Sequence, residues 1–227
     1  MCNTSGIAFS VKNLSIEEIR GKRIVEVGAC DVNGSLRPII ESWGSPAQYI
    51  GVDIEKGPGV DVVCNAENII DVFGTDSFDI VIATELLEHI HNWRKVISNI
   101  KNVCKTNGAI LITTRSKGFK YHGYPYDFWR YELDDLKEIF SDYEIIALEN
   151  DPISPGVFLK AKKPYEFVEN NLKIYKLYSV VVDQRVAELK DLDLRIFLFL
   201  RERLSKRYKR LQRFLFRIIR SVISKNS

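Results

Sequence analysis

Histidine is scarce in this chain, with three in 227 residues, and methionine occurs once. The four cysteines, Cys2, Cys30, Cys64 and Cys104, are widely spaced and form no C-x-x-C pair. That spacing argues against a disulfide framework and against a zinc ribbon, and it fits a reducing compartment. No His/Cys/Asp cluster shows metal-ligand spacing along the chain, so no required metal is expected. Long apolar runs are missing as well. The longest is about five to seven residues, far short of the roughly 20 that cross a bilayer. The opening stretch MCNTSGIAFSVKN has no charged segment followed by an apolar one, so no secretory leader is expected. These absences place the chain in the cytoplasm, or at most peripherally on the inner face of a membrane. No internal repeat or low-complexity segment is found.

What is present suits a packed core, with 45% hydrophobic residues and a full set of aromatics. Charge is distributed unevenly. Residues 1–159 carry 15 Lys+Arg against 23 Asp+Glu, a net of −8; residues 160–227 carry 18 against 7, a net of +11. An acidic body with a basic tail predicts two parts, 1–163 and 164–227, with different partners. After Pro164 the pattern predicts continuous helix. Leu200, Leu204, Tyr208, Leu211, Leu215, Ile218 and Val222 recur at spacings of 4, 4, 3, 4, 3 and 4. Ten Lys+Arg and a single acid, Glu202, lie between Arg195 and Arg220. Such a helix can lie on an anionic membrane through residues 195–222, pair with a second copy as a homo-oligomer, bind phosphates, or pack on its own domain's acidic face. Repulsion of ten like charges disfavours the homodimeric coil, and no accompanying module supports nucleic-acid binding.

In the body, strand and helix signals alternate. Strands are expected at Ile24–Val27, Tyr49–Asp53, Val60–Cys64, Phe78–Ala83 and Ala109–Thr113, with two late ones at Tyr143–Glu149 and Val157–Lys160. Helices are expected over Leu36–Trp43, from about Glu85 until Asn107-Gly108, and over Leu133–Phe140. Alternation of this kind implies an α/β protein, a Rossmann-like, mostly parallel sheet with helices on both faces, here with a C-terminal helical extension. The first strand runs into Gly28-Ala29-Cys30-Asp31-Val32-Asn33-Gly34, and the second ends on Asp53. A tight turn followed, one strand later, by a carboxylate able to accept both ribose hydroxyls marks a nucleoside-cofactor site. A dinucleotide fingerprint would need glycine at 28, 30 and 33; Cys30 and Asn33 stand there instead.

With these elements placed, the chain resembles the class I S-adenosylmethionine-dependent methyltransferases over roughly residues 20–162. The motifs are VEVGACDVNG after strand one, YIGVDI at strand two, CNAENI after strand three, DSFDIVIATELLEHI at strand four and GAILITTRS at strand five. Cys30 and Val32 replace two glycines of the usual first motif. The resemblance implies S-adenosylmethionine as cofactor. Gly28 and Ala29 would then pass beneath its methionine part, and Glu26 would hold the loop and the cationic end. Asp53, with Ile54 beside it, would take the ribose. Asn65, Ala66 and Glu67 would line the adenine edge, with Thr84 and Glu85 near the sulfonium.

Past strand five, residues 116–131 are rich in aromatics, glycine and proline, as expected of a pocket wall or lid. A similar H-G-x-P-x-D-F/Y-W-R segment recurs in a subset of these methyltransferases, many of them acting in glycan or cell-surface polymer pathways. Methyl transfer is an in-line displacement in which the protein mainly positions the acceptor. For a hydroxyl acceptor His122 is the candidate general base, with Asp127 orienting it or serving as base itself. Tyr121 and Tyr126 are candidate substrate contacts, and Arg130 could bind a substrate carboxylate or phosphate. Alternatively Asp127 and Arg130 pair with each other and Trp129 fills the core. His89 reads as a wall or packing residue and His91 as a surface residue. The expected function is methyl transfer to a small-molecule, sugar or glycolipid acceptor, at oxygen. The alternative is a non-catalytic scaffold of the same fold that assembles through its basic tail. Ala83-Thr84-Glu85-Leu86 stands where nucleic-acid N-methyltransferases carry (N/D)-P-P-(Y/F), so nucleic acid is not expected as substrate.

Overall fold

A computed structural model describes residues 3–203 except Asn33 and Tyr124. The expected membrane or partner stretch 195–222 therefore lies largely outside the described residues, beyond position 203. Among the described residues no helix is long and apolar enough to cross a membrane.

The chain divides into two compact units, Met1–Ala187 and Glu188–Ser227. In the first, seven strands form one sheet. They are β1 (Arg23–Val27), β2 (Gln48–Asp53), β3 (Val62–Val63), β4 (Phe78–Thr84), β5 (Cys104–Arg115), β7 (Glu144–Asn150) and β8 (Gly156–Lys162), in the order β3-β2-β1-β4-β5-β8-β7. β3, β2, β1, β4 and β5 pair in parallel. β8 is antiparallel to both of its neighbours, because it returns from β7 through the short turn 151–155. The central strands are mostly apolar, as two-sided burial requires, with Ile24, Val25, Val52, Val81, Ile82, Leu111 and Ile112 at most 1% exposed; Glu26 in β1 and Asp79 in β4 are charged exceptions.

Helices α1 (Thr4–Asn13), α2 (Ile16–Ile19) and α3 (Arg37–Gly44) supply one apolar layer, in which Phe9, Leu14, Ile19, Leu36 and Ile40 meet Ile24, Ile80, Leu111 and Phe158 of the sheet. Helices α4 (Ile69–Phe73), α5 (Trp93–Val103) and α6 (Leu133–Ile139) complete the set. α5 buries Trp93, Val96, Ile97, Ile100 and Val103, a helical stripe that packs on β4 and β5.

Several expectations are corrected. No helix runs from Glu85: that residue adopts φ +51°, followed by a single 3-10 turn, Leu87–His89, and α5 starts at Trp93. α5 also ends before Asn107-Gly108, at Val103, and β5 begins at once. Gly108 is needed where it stands because a Cβ there would fall 2.8 Å from the Asp79 carbonyl oxygen.

The chain after Pro164 is not continuously helical, and the first unit extends past the expected boundary at 163. β9 (Leu177–Ser179) joins β10 (Gln184–Val186) and the short β6 (Trp129–Arg130) in a second, three-stranded sheet. Arg94 of α5 secures this segment by donating to the carbonyls of Leu172, Tyr175 and Ala187. In the second unit, residues 191–203 are helical.

Candidate functional site

The carboxyl ends of β1, β2, β4 and β5 lie along one edge of the sheet, where open α/β sheets bind ligands. Gly28 turns the chain there with φ +82°, a conformation that suits glycine, and its amide and that of Ala29 both donate to the Val52 carbonyl, at 2.8 and 3.1 Å. The missing glycines at 30 and 32 are offset elsewhere. A Cβ on Gly51 would sit 1.8 Å from the Gly59 carbonyl oxygen, and one on Gly57 would sit 2.6 Å from Cys30 Sγ. The loop after β2 therefore lies flat on the loop after β1, with the Asp31 amide donating to Pro58 at 2.9 Å. Val32 points outward, 54% exposed, so it costs the turn nothing.

Asp53 closes β2 with one oxygen accepting the Cys30 amide at 3.0 Å and the other accepting the Ile54 amide at 2.7 Å. Each oxygen retains a second lone pair. Ile54 and, on the neighbouring strand, Val63 are 64% and 57% exposed, which leaves apolar side chains flanking the carboxylate. A carboxylate beside bare apolar surface, next to a glycine turn, fits a nucleoside such as that of S-adenosylmethionine. Asn65 caps the following turn through its side-chain oxygen on the Glu67 amide, Ala66 is buried under Asn99, and Glu67 accepts from Asn92. These three stand at the carboxyl end of β3.

Two of the expected cofactor residues have other partners. Glu26 is 3% exposed and accepts the Tyr49 hydroxyl at 2.7 Å, bracing β1 against β2. Burial pushes its carboxyl up to about 7 despite that bond. The protonated form thus favours the folded state: its contribution is complete below the usual carboxyl value and is lost as pH rises through about 7. Glu26→Gln, which keeps an acceptor for Tyr49 but no charge, is expected to exceed the wild type in stability by up to about 3 kcal/mol near pH 8. Near pH 4 the two should match. Thermal unfolding at both pH values checks this, and equal melting curves at the higher value would remove the buried-charge cost.

Glu85, at the end of β4, is buried and forms an ion pair with Arg115, which also reaches Asp151 at 3.3 Å. Burial and the nearby Glu88 charge push its carboxyl up to about 8. It anchors the end of β5 through Thr113 and Arg115. Thr84 beside it is fully buried.

The segment after β5 is organised by Arg130, which is 0% exposed. Its guanidinium holds both Asp127 oxygens, at 2.5 and 2.8 Å, and donates to the carbonyls of Phe119, Lys120 and Trp129. Arg130 is thus a structural centre and not a substrate contact, and Trp129 fills the core at 1% exposure. The pairing holds the Asp127 carboxyl far below the usual carboxylate range, although burial opposes it, so Asp127 orients and does not accept a proton. What it orients is His122: Asp127 Oδ2 accepts the His122 amide and its Nδ1, both at 2.9 Å. The imidazole stays 29% exposed. Burial opposes its charge, but Asp127 and Glu88 outweigh burial and raise it to about 9.

Sequence spacing missed a further grouping. Glu88 and His89 come from the 3-10 turn after β4, and His122 comes from the segment after β5; their donor atoms all lie within 4.8 Å of one another. Only the fold unites them, since His122 stands far along the chain. Leu86, just before this turn, packs on Gly28, so the group adjoins the glycine turn. Among the predicted substrate contacts, Tyr126 is 39% exposed and its carbonyl accepts from His89 Nδ1, and Tyr121 lies against Gly123.

Comparison with known proteins identifies the family and the fold. A family model described as a methyltransferase domain matches residues 7–147. Ubiquinone biosynthesis O-methyltransferases of Rickettsia bellii and Rickettsia typhi are 26% identical over 130 and 132 residues, 55% and 56% of this chain and 49% of theirs. The chain spans about half the length of the curated relatives it matches. Among solved structures, a Burkholderia thailandensis 1,6-didemethyltoxoflavin-N1-methyltransferase with bound S-adenosylhomocysteine superposes with a TM-score of 0.55 at 14% identity, covering 71% of this chain and 77% of that one. An S-adenosylmethionine-dependent methyltransferase of Mesorhizobium loti gives 0.54 at 14% identity, covering 71% and 99%. With the family model matched over more than half of its length, on the fold of those structures, the chain belongs to the methyltransferase-domain family, among the class I S-adenosylmethionine-dependent methyltransferases.

Proposed function

We propose that this protein transfers a methyl group to an oxygen atom of a small-molecule, sugar or glycolipid acceptor. The observation that carries the reading is the imidazole of His122, part-exposed and fixed through Nδ1 by a carboxylate that Arg130 holds ionised. S-adenosylmethionine, when bound, supplies the electrophilic methyl carbon, and Gly28, Ala29, Asp53 and Ile54 are the residues that would hold it.

An oxygen acceptor differs from an amine in needing its proton removed as the new bond forms. His122 is the group placed for that proton: Asp127 occupies Nδ1 and leaves Nε2 as the working atom. Because the imidazole is raised to about 9, Nε2 becomes a free acceptor as pH rises toward that value, so turnover is expected to increase from about pH 7 to about pH 9. Tyr121 and Tyr126 offer flat faces of the kind that pack against a sugar or aromatic ring. The O-methyltransferase names of the curated relatives support the same choice of atom.

The test is turnover of labelled S-adenosylmethionine against a panel of hydroxylated sugars, lipids and phenols. Methyl ethers are the expected products, and His122→Ala should lower kcat about 10²-fold with cofactor affinity retained. Full turnover in that variant, or methylation at nitrogen alone, would overturn the proposal.

A further inference from the structure

We infer that Glu88, His89 and His122 form a binding site for one divalent transition-metal ion of the zinc kind. The inference rests on the function proposed above and changes the part His122 plays there, from proton acceptor to ligand of the ion that acidifies the acceptor hydroxyl.

The geometry of hydrogen bonding points to it. His89 Nδ1 lies 2.6 Å from the Tyr126 carbonyl oxygen, which can only accept, so Nδ1 carries a hydrogen and, in the neutral ring, Nε2 carries the lone pair. His122 Nδ1 lies 2.9 Å from an Asp127 oxygen that Arg130 holds ionised, so neutral His122 has the same tautomer. Glu88 is fully buried, and Thr114 donates to its Oε2 at 2.8 Å. In each of the three side chains one polar atom is thus fixed by an outer partner. The other three atoms, Nε2, Nε2 and Oε1, turn toward one another.

Those inner atoms have no adequate protein partner. Glu88 Oε1 and His89 Nε2 are buried without a hydrogen bond. Glu88 Oε1 is 3.7 Å from His122 Nε2 and 4.0 Å from His89 Nε2, too far for a hydrogen bond in either case. A buried carboxylate oxygen with no donor in hydrogen-bond distance is costly unless positive charge lies beside it. The His122 imidazolium is one source of that charge, and a cation that displaces the Nε2 proton and binds all three atoms is the other. Donors bound at about 2.0–2.2 Å to a shared ion stand roughly 3–3.5 Å apart, so each needs to move inward by less than about 1 Å.

Two imidazoles and one carboxylate make a ligand set used for catalytic zinc and for other first-row ions, with a coordination position left open. Nitrogen donors favour such ions over magnesium or calcium. The outer partners Asp127, Tyr126 and Thr114 are the second shell that such ligands need to hold their tautomers and directions. The open position would take the oxygen of the acceptor, and the ion would lower the pKa of that hydroxyl.

The full chain, stripped with chelator, is titrated with Zn2+ by calorimetry and with Co2+ by visible absorption. One ion per chain is expected, with Co2+ ligand-field bands and without the near-ultraviolet charge-transfer band that ligation by a cysteine thiolate would add. His89→Ala and His122→Ala should each weaken Zn2+ binding at least about 10-fold, with circular dichroism and S-adenosylmethionine affinity retained. Glu88→Gln is the third variant, and His89→Ala serves if that buried change impairs folding. The site is overturned if folded, cofactor-binding wild type takes up no ion, if binding survives both histidine substitutions, or if the Co2+ spectrum is that of a thiolate. Turnover without metal binding would sink the metal site alone; metal binding without cofactor affinity would sink the methyl-transfer reading alone.

Discussion

Asp127→Ala is expected to lower the unfolding free energy by about 3–5 kcal/mol, a large share of the stability of a domain of this size. The substitution removes the only charge opposite Arg130 among the described residues and leaves a guanidinium buried at 0% exposure. Three backbone carbonyls would still accept from it, but they carry no net charge to offset it. The loss would spread, because the same carboxylate also fixes the His122 amide and ring. Urea denaturation reads the effect. A loss below about 1 kcal/mol would show that water reaches Arg130, and the buried-pair description would fail.

The second large effect is on the cofactor. Asp53→Ala should weaken S-adenosylmethionine binding by about 10²–10⁴-fold, since two charge-assisted hydrogen bonds to ribose hydroxyls contribute roughly 1.5–3 kcal/mol each. Part of the loss would be indirect, through the Cys30 amide that Asp53 holds in place. Asp53→Asn separates the two contributions: it keeps an acceptor for the loop and removes the charge. Calorimetric titration with S-adenosylmethionine and S-adenosylhomocysteine measures both variants. Unchanged affinity in Asp53→Ala would end the ribose assignment. A folded wild type that binds neither ligand would favour the scaffold alternative.

Most of the sheet was legible because each central strand is mostly apolar and ends in glycine or a polar residue, as Ile24–Val27 and Phe78–Thr84 do despite Glu26 and Asp79 within them. The helix from Glu85 was misjudged for a physical reason. Leu86, Leu87 and Ile90 have helical spacing, but Glu85 is held in a left-handed turn by its bonds to Thr113 and Arg115, which are distant in the chain. The segment after Pro164 departs from the expected helix because Leu177 pairs with Val186 across β9 and β10, and β9 pairs with β6, contacts that the basic charge pattern does not encode. At the site, Gly28 and Asp53 could be placed from local pattern alone. Arg130 could not, because a charged residue with no exposed surface is invisible to pattern until its partners are known. The convergence of Glu88, His89 and His122 depends on two loops meeting across β4 and β5, which no spacing along one segment records.

The second, small sheet ties the residue after Asp127 to the far end of the domain. The Val180 amide donates to the Phe128 carbonyl at 3.0 Å, and β9 runs alongside Trp129 and Arg130. The segment that carries His122, Asp127 and Arg130 is therefore coupled to residues 164–187, and each reports on the other. A ligand that orders His122 and its neighbours must, by reciprocity, also protect the amides around Tyr178 and Val180. Conversely, a protein or surface that grips 164–187 would bias the order of His122 and its neighbours from a distance.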